Sequence, residues 1–412
     1  MKRIALLGFG TVGSGVYEVI EKSKEMVKER FGMDIDVVSI LVRNTEKYAH
    51  HPFHHKFTES FDDLLAKKPH IAIEVMGGLE PGFTYITHLL KEGVDVVTAN
   101  KDLIAEHGQV LLTLAKDQQR TLLYEASVGG GIPILKPLQE CLGGNEINSI
   151  AAVINGTTNF ILSKMTSDSM AYEEALALAQ KKGFAEADPT SDVMGHDAIR
   201  KLAILSRLAY GQQIEWDSLP AMGITDVQPE DIACAKSIGS TIKLVAYSEY
   251  NDKHLYAGVR PMVVHKANPI ASIDNEYNAV VLTGDAVGEL MFTGKGAGKM
   301  PTASAVFGDV IDIIQNRKEH QQNALRQDAV LHTQWYKPGK WLVRVVGRNK
   351  SEIIHALLKA FAGEEIRIQA SHRDDQVHGL VRTQNEGELL DKLASIKDLD
   401  TIYKTKHYLV YQ

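Results

Sequence analysis

Four carboxylates and a lysine fall close together in Gly183-Phe-Ala-Glu-Ala-Asp-Pro-Thr-Ser-Asp-Val-Met-Gly-His-Asp-Ala-Ile-Arg-Lys201: Glu186, Asp188, Asp192, Asp197 and Lys201. Asp188-Pro189 argues for a turn, because a proline pushes its predecessor out of the helical region, and Asp192 can cap the helix that follows. Ala198, Leu202, Leu205 and Ala209 then recur at helical spacing until Gly211. Asp197 and Lys201 are four residues apart and share a face in the first turns of that helix. A carboxylate and an ammonium projecting together from a rigid element suit acid/base work. The competing reading is a surface ion pair, the commoner fate of such a pair, contributing at most about 1 kcal/mol. Against it stands the density of acids just upstream, none balanced locally.

The elements that must position such chemistry begin at the N-terminus. Lys2 to Leu7 reads as a buried strand, followed at once by Gly8-Phe-Gly10-Thr-Val-Gly13 and a helical pattern through Val16, Val19 and Ile20. Gly8 makes the turn, Gly10 lets the backbone approach a pyrophosphate, and Gly13 lets helix and strand pack closely. The helix N-terminus offers free N–H groups to the phosphates, so a dinucleotide site is expected here. The second strand, Ile35 to Val42, ends in Arg43 where an acid for the ribose hydroxyls is usual. An arginine suits a 2'-phosphate and favours NADP over NAD; alternatively Arg43 stacks on adenine or faces solvent. His50, His51, His54 and His55 suggest metal, but with no acid or cysteine partner a solvated loop is the expectation.

Strand and helix patterns continue to alternate, with helices at Phe61 to Lys67 and Pro81 to Lys91 and strands at Ile71 to Met76 and Val94 to Ala99, as a parallel sheet requires. Lys101 follows the last of these strands and should face the crevice at the sheet's carboxyl end. A helix at Ile104 to Lys116 and a strand at Leu122 to Ala126 lead into Ser127-Val-Gly-Gly-Gly-Ile-Pro133. Its glycines permit close approach, unusual carbonyl directions or a hinge. Asn155-Gly-Thr-Thr-Asn159, at the end of a strand Ile150 to Ile154, can hold a polar substrate or cap a helix. Beyond Gly211 the pattern turns antiparallel, with strands at Lys243 to Glu249, Tyr256 to Val264 and Asn278 to Thr293, an open sheet able to pair across subunits. Gly294-Lys-Gly-Ala-Gly-Lys299 only mimics a phosphate loop, since Thr293 and Met300 occupy required positions.

The end of the chain reads as strand Trp341 to Val346, helix Glu352 to Ala362, strands Ile366 to Ala370 and Val377 to Arg382, helix Glu386 to Ile396 and strand Thr401 to Tyr411. That βαββαβ order carries no acid/base cluster and is expected to be small, separate and regulatory or oligomerising. The fold expected is α/β: a Rossmann-type parallel sheet over 1–132, with the helix 303–317 packing back on it. An α+β catalytic and dimerisation domain with an open sheet (133–302), a linker (318–339) and a βαββαβ domain (340–412) follow.

Composition agrees with an ordinary soluble globular protein. The chain has 412 residues, 44% hydrophobic and 24% charged, enough for a large core. A net charge of −7 without any Lys/Arg run argues against nucleic acid or anionic membrane as the main partner. No apolar run approaches a membrane span, and the N-terminus enters a strand without a cleavable signal, so the cytoplasm is expected. Only Cys141 and Cys234 occur, which excludes a disulfide framework and thiolate metal sites.

Taken in order, Gly8-Phe-Gly-Thr-Val-Gly13, Thr98-Ala-Asn-Lys101, Glu125-Ala-Ser-Val-Gly-Gly-Gly-Ile-Pro133, Asn155-Gly-Thr-Thr-Asn159, Ala185-Glu-Ala-Asp-Pro189 through Lys201, and Gly294-Lys-Gly-Ala-Gly298 resemble homoserine dehydrogenase. The resemblance implies reversible NAD(P)H-dependent reduction of L-aspartate 4-semialdehyde to L-homoserine, on the route to threonine and methionine. It implies Lys201 as acid/base, Lys101 at the nicotinamide and the reacting oxygen, and Glu186, Asp192 and Asp197 around the amino-acid substrate. Phe9, Thr11, Val12, Arg43, Gly183 and Gly298 would line the cofactor. A monovalent cation of the sodium type would sit on the Val128, Gly130 and Ile132 carbonyls near Glu125, in a structural role. The end of the chain is similar to ACT regulatory domains, implying an amino-acid effector and a homodimer or homotetramer. It departs from them at Gly347-Arg-Asn-Lys-Ser351, where Asp and Pro-Gly are usual, so threonine feedback does not follow.

The implied chemistry needs a hydride donor, a cation at the carbonyl oxygen and a proton; a lysine can supply the last two. Two lysines converging on one aldehyde would lower each other's pKa. A semialdehyde-oxidising enzyme would need a cysteine nucleophile, and neither Cys141 nor Cys234 has an evident histidine partner. A cofactor-binding sensor without catalysis is the alternative of another class.

Overall fold

The first strand, Lys2–Leu7 (β1), buries its last four side chains completely, as a strand covered on both faces must. In the computed structural model, which describes residues 1–315, 325–369 and 373–411, β1 leads through Thr11–Phe31 (α1) to Ile35–Leu41 (β2). Phe57–Thr58 (β3), Phe61–Ala66 (α2), Ile71–Glu74 (β4), Gly82–Lys91 (α3), Asp95–Thr98 (β5), Lys101–Asp117 (α4) and Leu122–Leu123 (β6) follow. The six strands pair in parallel in the order β3-β2-β1-β4-β5-β6, the expected doubly wound sheet. Ser60 and Asn100 cap α2 and α4 by accepting the N–H of Asp63 and Leu103, so α4 begins at Lys101, earlier than its apolar pattern suggested. The sixth strand stops at Leu123, because Glu125–Ser127 turns into a 3-10 helix.

This sheet belongs to one of two units, comprising Met1–Asn145, Ala203–Trp216 and Phe292–Leu325. The helix Lys299–Ile314 packs on this sheet and buries Val306, Phe307, Val310 and Ile313 with Ile4, Val16 and Ile20. Gly15 makes that packing close, since a Cβ there would meet Lys299 and Ala303. The stretch 133–145, expected with the catalytic domain, clusters instead with this first unit.

The second unit holds Glu146–Leu202, Asp217–Met291 and Arg326–Gln412. Its elements are Ile147–Val153 (β7), Gly156–Ser167 (α5), Tyr172–Lys181 (α6), Thr190–Val193 (α7), the start of His196–Tyr210 (α8), Pro229–Ser237 (α9), Ser240–Asn251 (β8), His254–His265 (β9) and Tyr277–Gly284 (β10). Gly288–Lys295 (β11) follows, then the helix already described (α10), Val330–His332 (β12), Gly339–Gly347 (β13), Lys350–Ala360 (α11), Ile366–Gln369 (β14), Gln376–Thr383 (β15), Glu386–Lys397 (α12) and Ile402–Tyr411 (β16). The single strand expected over Asn278 to Thr293 is in fact the hairpin β10–β11, because Gly284 to Gly288 supplies a turn and Gly288 takes φ +72°.

The C-terminal βαββαβ part is present, but it is not separate. The ten-stranded sheet runs β11-β10-β7-β8-β9-β16-β13-β15-β14, with β12 added on β9. Strand β16 pairs in parallel with β9, Leu409 opposite Met262 and Tyr411 opposite Val264. Trp341, Val343, Leu357 and Leu393 share one core with Val245, Tyr256, Met262 and Val281. No boundary therefore falls at 340; of the linker expected over 318–339, residues 318–324 lie outside the described residues, and 330–332 form β12.

Buried ions reinforce the seam. Glu386 accepts from Arg260 of β9 at 2.6 Å, from the Trp335 N–H at 2.8 Å and lies 3.1 Å from His407. Asp231 on α9, fully buried, lies 2.9 Å from His378 and accepts the Tyr408 hydroxyl at 2.7 Å. Burial by itself raises the Glu386 carboxyl, but His407, Arg260 and the Trp335 N–H outweigh it and bring it to about 2, from 4.5. A depressed carboxyl adds stability that is complete above the unfolded value and is lost as pH falls toward the folded one. Acid titration should therefore remove the Glu386 contribution as pH falls from about 4.5 to about 2. Glu386→Gln leaves Arg260 buried without its counter-charge and should cost about 3–5 kcal/mol in urea unfolding at neutral pH. An unchanged midpoint would mean the pair does not hold the seam.

Candidate functional site

The turn after β1 is built from backbone. Gly8 takes φ +102°, and a Cβ on Gly13 would collide with the Gly8 carbonyl, so helix and strand close on each other as the motif requires. Around Gly10 there is open space, and no side chain caps α1, whose first N–H groups at Thr11, Val12 and Gly13 are left for a ligand. An anionic diphosphate fits this arrangement of donors and helix dipole. Phe9 is the hub of an aromatic cluster: its ring lies 5.0 Å from Phe57, 5.6 Å from Tyr48 and 5.8 Å from His51, and Tyr17 stacks on Phe53 at 3.9 Å. The histidine loop is therefore only partly the solvated loop expected. His51 joins the cluster because a ring there covers Phe9, whereas His50, His54 and His55 are exposed. Arg43, just past β2, is exposed and makes no hydrogen bond or ion pair among the described residues.

At the carboxyl ends of β4 and β5, Glu74 is fully buried and accepts the Thr98 hydroxyl at 2.6 Å and the Met76 N–H at 2.8 Å. Burial holds its carboxyl above the usual range against those hydrogen bonds. Asn100 donates to the Gly78 carbonyl at 2.6 Å while capping α4, whose first residue is Lys101, 3.9 Å from Asp102. Sequence reading singled out Lys101 but not Glu74, which ties the two strand ends together.

Two glycine-rich loops pack backbone on backbone in the same unit. Gly130, at φ +56°, faces Gly296 so closely that a Cβ would strike its carbonyl, and Gly131 faces Pro301 while its N–H donates to Lys295. This is close approach, not a hinge. Gly298 takes φ +123° at the start of α10. Glu125 accepts the N–H groups of Ile134, Leu135 and Lys136 at 2.5–2.9 Å, and Asp309 accepts the Glu125 N–H at 3.0 Å. Burial, then the neighbouring Glu125, pushes the Asp309 carboxyl well above its usual value. Val128, Gly130 and Ile132 are buried, yet their carbonyls accept no hydrogen bond among the described residues. Orphaned buried carbonyls without histidine or thiolate fit a hard cation. Among the described residues no group of three or more His, Cys, Asp or Glu side chains is arranged to hold a metal.

In the second unit the acidic turn folds as a turn, but Asp192 does not cap the next helix. It lies inside α7, whose start is bonded instead by Asp188 through the Thr190 N–H and hydroxyl, and the residue before α8 is Gly195 at φ +83°. Asp192 and Asp197 both accept from the Asn155 amide, at 2.7 and 2.9 Å. Lys201 donates to Asp197 at 2.7 Å and to the Ile154 carbonyl at 2.9 Å. With side chains only 12% and 9% exposed, Lys201 and Asp197 are not the surface pair of the competing reading. Burial raises the Asp192 carboxyl, the Asn155 hydrogen bond opposes this, and Asp197 adds to it. Glu186 is exposed on the loop after α6, where its carbonyl accepts from Gln180, and exposed Gly183 terminates α6 at φ +77°. Asp192, Asp197 and Lys201 are thus brought together; Glu186 is bonded to none of them.

A family model described as the NAD-binding domain of homoserine dehydrogenase matches residues 8–125. The first unit accordingly binds a nicotinamide cofactor, and the chain is an NAD(P)-dependent oxidoreductase acting on a CH–OH group. A second model, described as homoserine dehydrogenase, matches residues 133–311. The chain is 41% identical, over 77% of its length, to the homoserine dehydrogenase of Bacillus subtilis, of which it covers 73%. It is similar throughout to the crystal structure of a homoserine dehydrogenase from Thiobacillus denitrificans, with a TM-score of 0.90 and 32% identity over 100% of this chain and 98% of that one. A hyperthermophilic archaeal homoserine dehydrogenase in complex with NADPH matches with a TM-score of 0.66 and 29% identity, over 79% of this chain and 100% of that one. The chain belongs to the homoserine dehydrogenase family.

Two glycine variants separate folding from ligand approach. Gly10→Ala meets open space at an ordinary φ of −81°, so the melting temperature should stay at the parental value while NADPH affinity, read by fluorescence titration, weakens. Gly130→Ala should lower the melting temperature, because the methyl is driven into the 294–298 backbone. Parental NADPH affinity for Gly10→Ala would argue against the pyrophosphate lying on that residue.

Proposed function

We propose that the chain interconverts L-aspartate 4-semialdehyde and L-homoserine with Lys201 as the acid/base, a step of threonine and methionine biosynthesis set in the cytoplasm. The observation that carries this reading is the largely buried Lys201 side chain, its ammonium held by Ile154 and Asp197 beside an acid-lined turn. When bound, the nicotinamide cofactor supplies a hydride to the carbonyl carbon or takes one from the alcohol carbon. In the reducing direction Lys201 donates a proton to the oxygen as negative charge develops there, and solvent reprotonates the amine. In the oxidising direction it takes the hydroxyl proton. Lys101, at the carboxyl end of β5, is assigned to the nicotinamide and the reacting oxygen. Asp192, Asp197 and Glu186 answer the substrate ammonium; Asp197 does so while keeping Lys201 in place.

For the cofactor, Gly8 to Gly13 hold the diphosphate, and exposed Arg43 provides a cation for a 2'-phosphate, which favours NADP. Gly183 and Gly298 complete the cofactor lining in this reading. A monovalent cation of the sodium type on the Val128, Gly130 and Ile132 carbonyls would pin the two glycine-rich loops; its role is structural, with Glu125 setting the local charge. The exposed edge strand β11, with Met291 outward, supports pairing with a second copy in a homodimer or homotetramer. An amino-acid effector at the βαββαβ part belongs to the same reading. The departing loop is taken up by Asn349, which caps α11 through the Glu352 N–H.

Homoserine-dependent NADP reduction at alkaline pH is the direct test, since a catalytically silent sensor would bind cofactor without turnover. Lys201→Ala should retain cofactor affinity while turnover falls by about 10²–10⁴-fold. Parental turnover in that variant would remove Lys201 from the mechanism. Arg43→Asp should shift the ratio of kcat/KM values from NADP toward NAD, and an unmoved ratio retires the 2'-phosphate assignment.

A further inference from the structure

Asn155 is 5% exposed and every polar atom of its side chain is engaged. Its Oδ1 accepts the Thr158 N–H and hydroxyl, both at 2.8 Å, which caps α5. Its Nδ2 donates to Asp192 at 2.7 Å and to Asp197 at 2.9 Å. The Asp197 oxygen that receives this bond is the one that receives the Lys201 ammonium. Two carboxylates in a dry turn repel each other, and an amide with its two hydrogens aimed one at each is a neutral group that can hold both. Its backbone neighbour Ile154 supplies the other acceptor of Lys201.

We propose that Asn155 is a positioning residue for the redox reaction, bridging Asp192 and Asp197 so that Asp197 stays on Lys201 and the ammonium points in one direction. The inference rests on Lys201 being the acid/base. Charged groups facing Asn155 are Asp192 on α7 and Asp197 and Lys201 on α8. Without the bridge, Asp192 keeps only the Thr157 hydroxyl as a donor and the two acids are no longer tied to each other, so Asp197 holds the lysine in a less defined direction. A displacement of about 1 Å at a proton-transferring group is enough to reduce rate about 10²-fold.

Helix capping alone makes a different prediction, because Ser, Asp and Asn cap almost equally well. Asn155→Ser keeps a cap and loses the bridge. Asn155→Asp keeps the cap, loses both donors and adds a third negative charge. Both variants, assayed for homoserine oxidation per cofactor-binding active site, should lose about 10²-fold in kcat. The ascending limb of the pH–kcat profile of Asn155→Asp should also move to higher pH, because added negative charge favours the protonated base. Parental kcat in Asn155→Ser, or a superimposable pH profile in Asn155→Asp, would overturn the proposal and leave a cap only. Should the Asp variant fail to fold, kcat of the Ser variant decides. Lys201→Ala run beside them separates the two ideas: retained turnover there removes the acid/base assignment and this inference with it. Lost turnover there with a parental Asn155→Ser defeats this inference alone.

Discussion

A lysine ammonium removed from water needs acceptors fixed in advance, because desolvation costs several kcal/mol that only well-placed partners offset. Lys201 has two, the Asp197 carboxylate one helical turn away and the carbonyl of Ile154. The second matters most for geometry. Ile154 directly follows β7, and β7 is clamped between β8 and β10, with Ile150 to Val153 almost wholly buried. The direction of the ammonium is thus set in part by a carbonyl that a buried central strand holds in place. The helical spacing of Asp197 and Lys201 would by itself leave the lysine free to choose solvent.

That same sheet also carries the end of the chain. Strand β9 pairs along its length with β8 and, near its end, with β16, so it hydrogen-bonds to both the catalytic and the C-terminal parts. Two charged residues buried at this seam, Arg260 and Asp231, come from the catalytic side, and their partners Glu386, His378 and Tyr408 come from the other. Removing Glu386 would leave Arg260 buried without its counter-charge, whereas Asp231 shares several partners, Arg344 at 3.4 Å among them. A βαββαβ part tied in this way acts as structure for the catalytic sheet, whatever it binds.

Glycine does the equivalent work in the first unit. At Gly13, Gly15, Gly130 and Gly131 a missing Cβ lets helix meet strand, helix meet helix or loop meet loop. The carbonyls of the buried residues Val128, Gly130 and Ile132 receive no hydrogen bond among the described residues. The phosphate turn, by contrast, leaves N–H groups unanswered at the start of α1. The donors of that turn suit the anionic diphosphate of the cofactor.

Much of this was legible from residues alone. The glycine spacing after β1, the alternation of strands and helices, the βαββαβ order and the Asp197–Lys201 face all depend on local periodicity and steric rules that act within a few residues. What periodicity could not reveal is whatever joins distant segments. Asn155 lies 37 residues from Asp192 and 42 from Asp197, and its neighbours in sequence disclosed only a choice between holding a polar substrate and capping a helix. The pairing of β16 with β9, the burial of Glu74, Asp309 and Glu386, and the closure of the histidine loop over Phe9 belong to the same class. Residue types and spacing fix which groups are available and which local element carries them. Which of those groups lose water, and therefore must find a partner, is decided only when the chain packs, because desolvation is a property of the whole neighbourhood and not of any one segment.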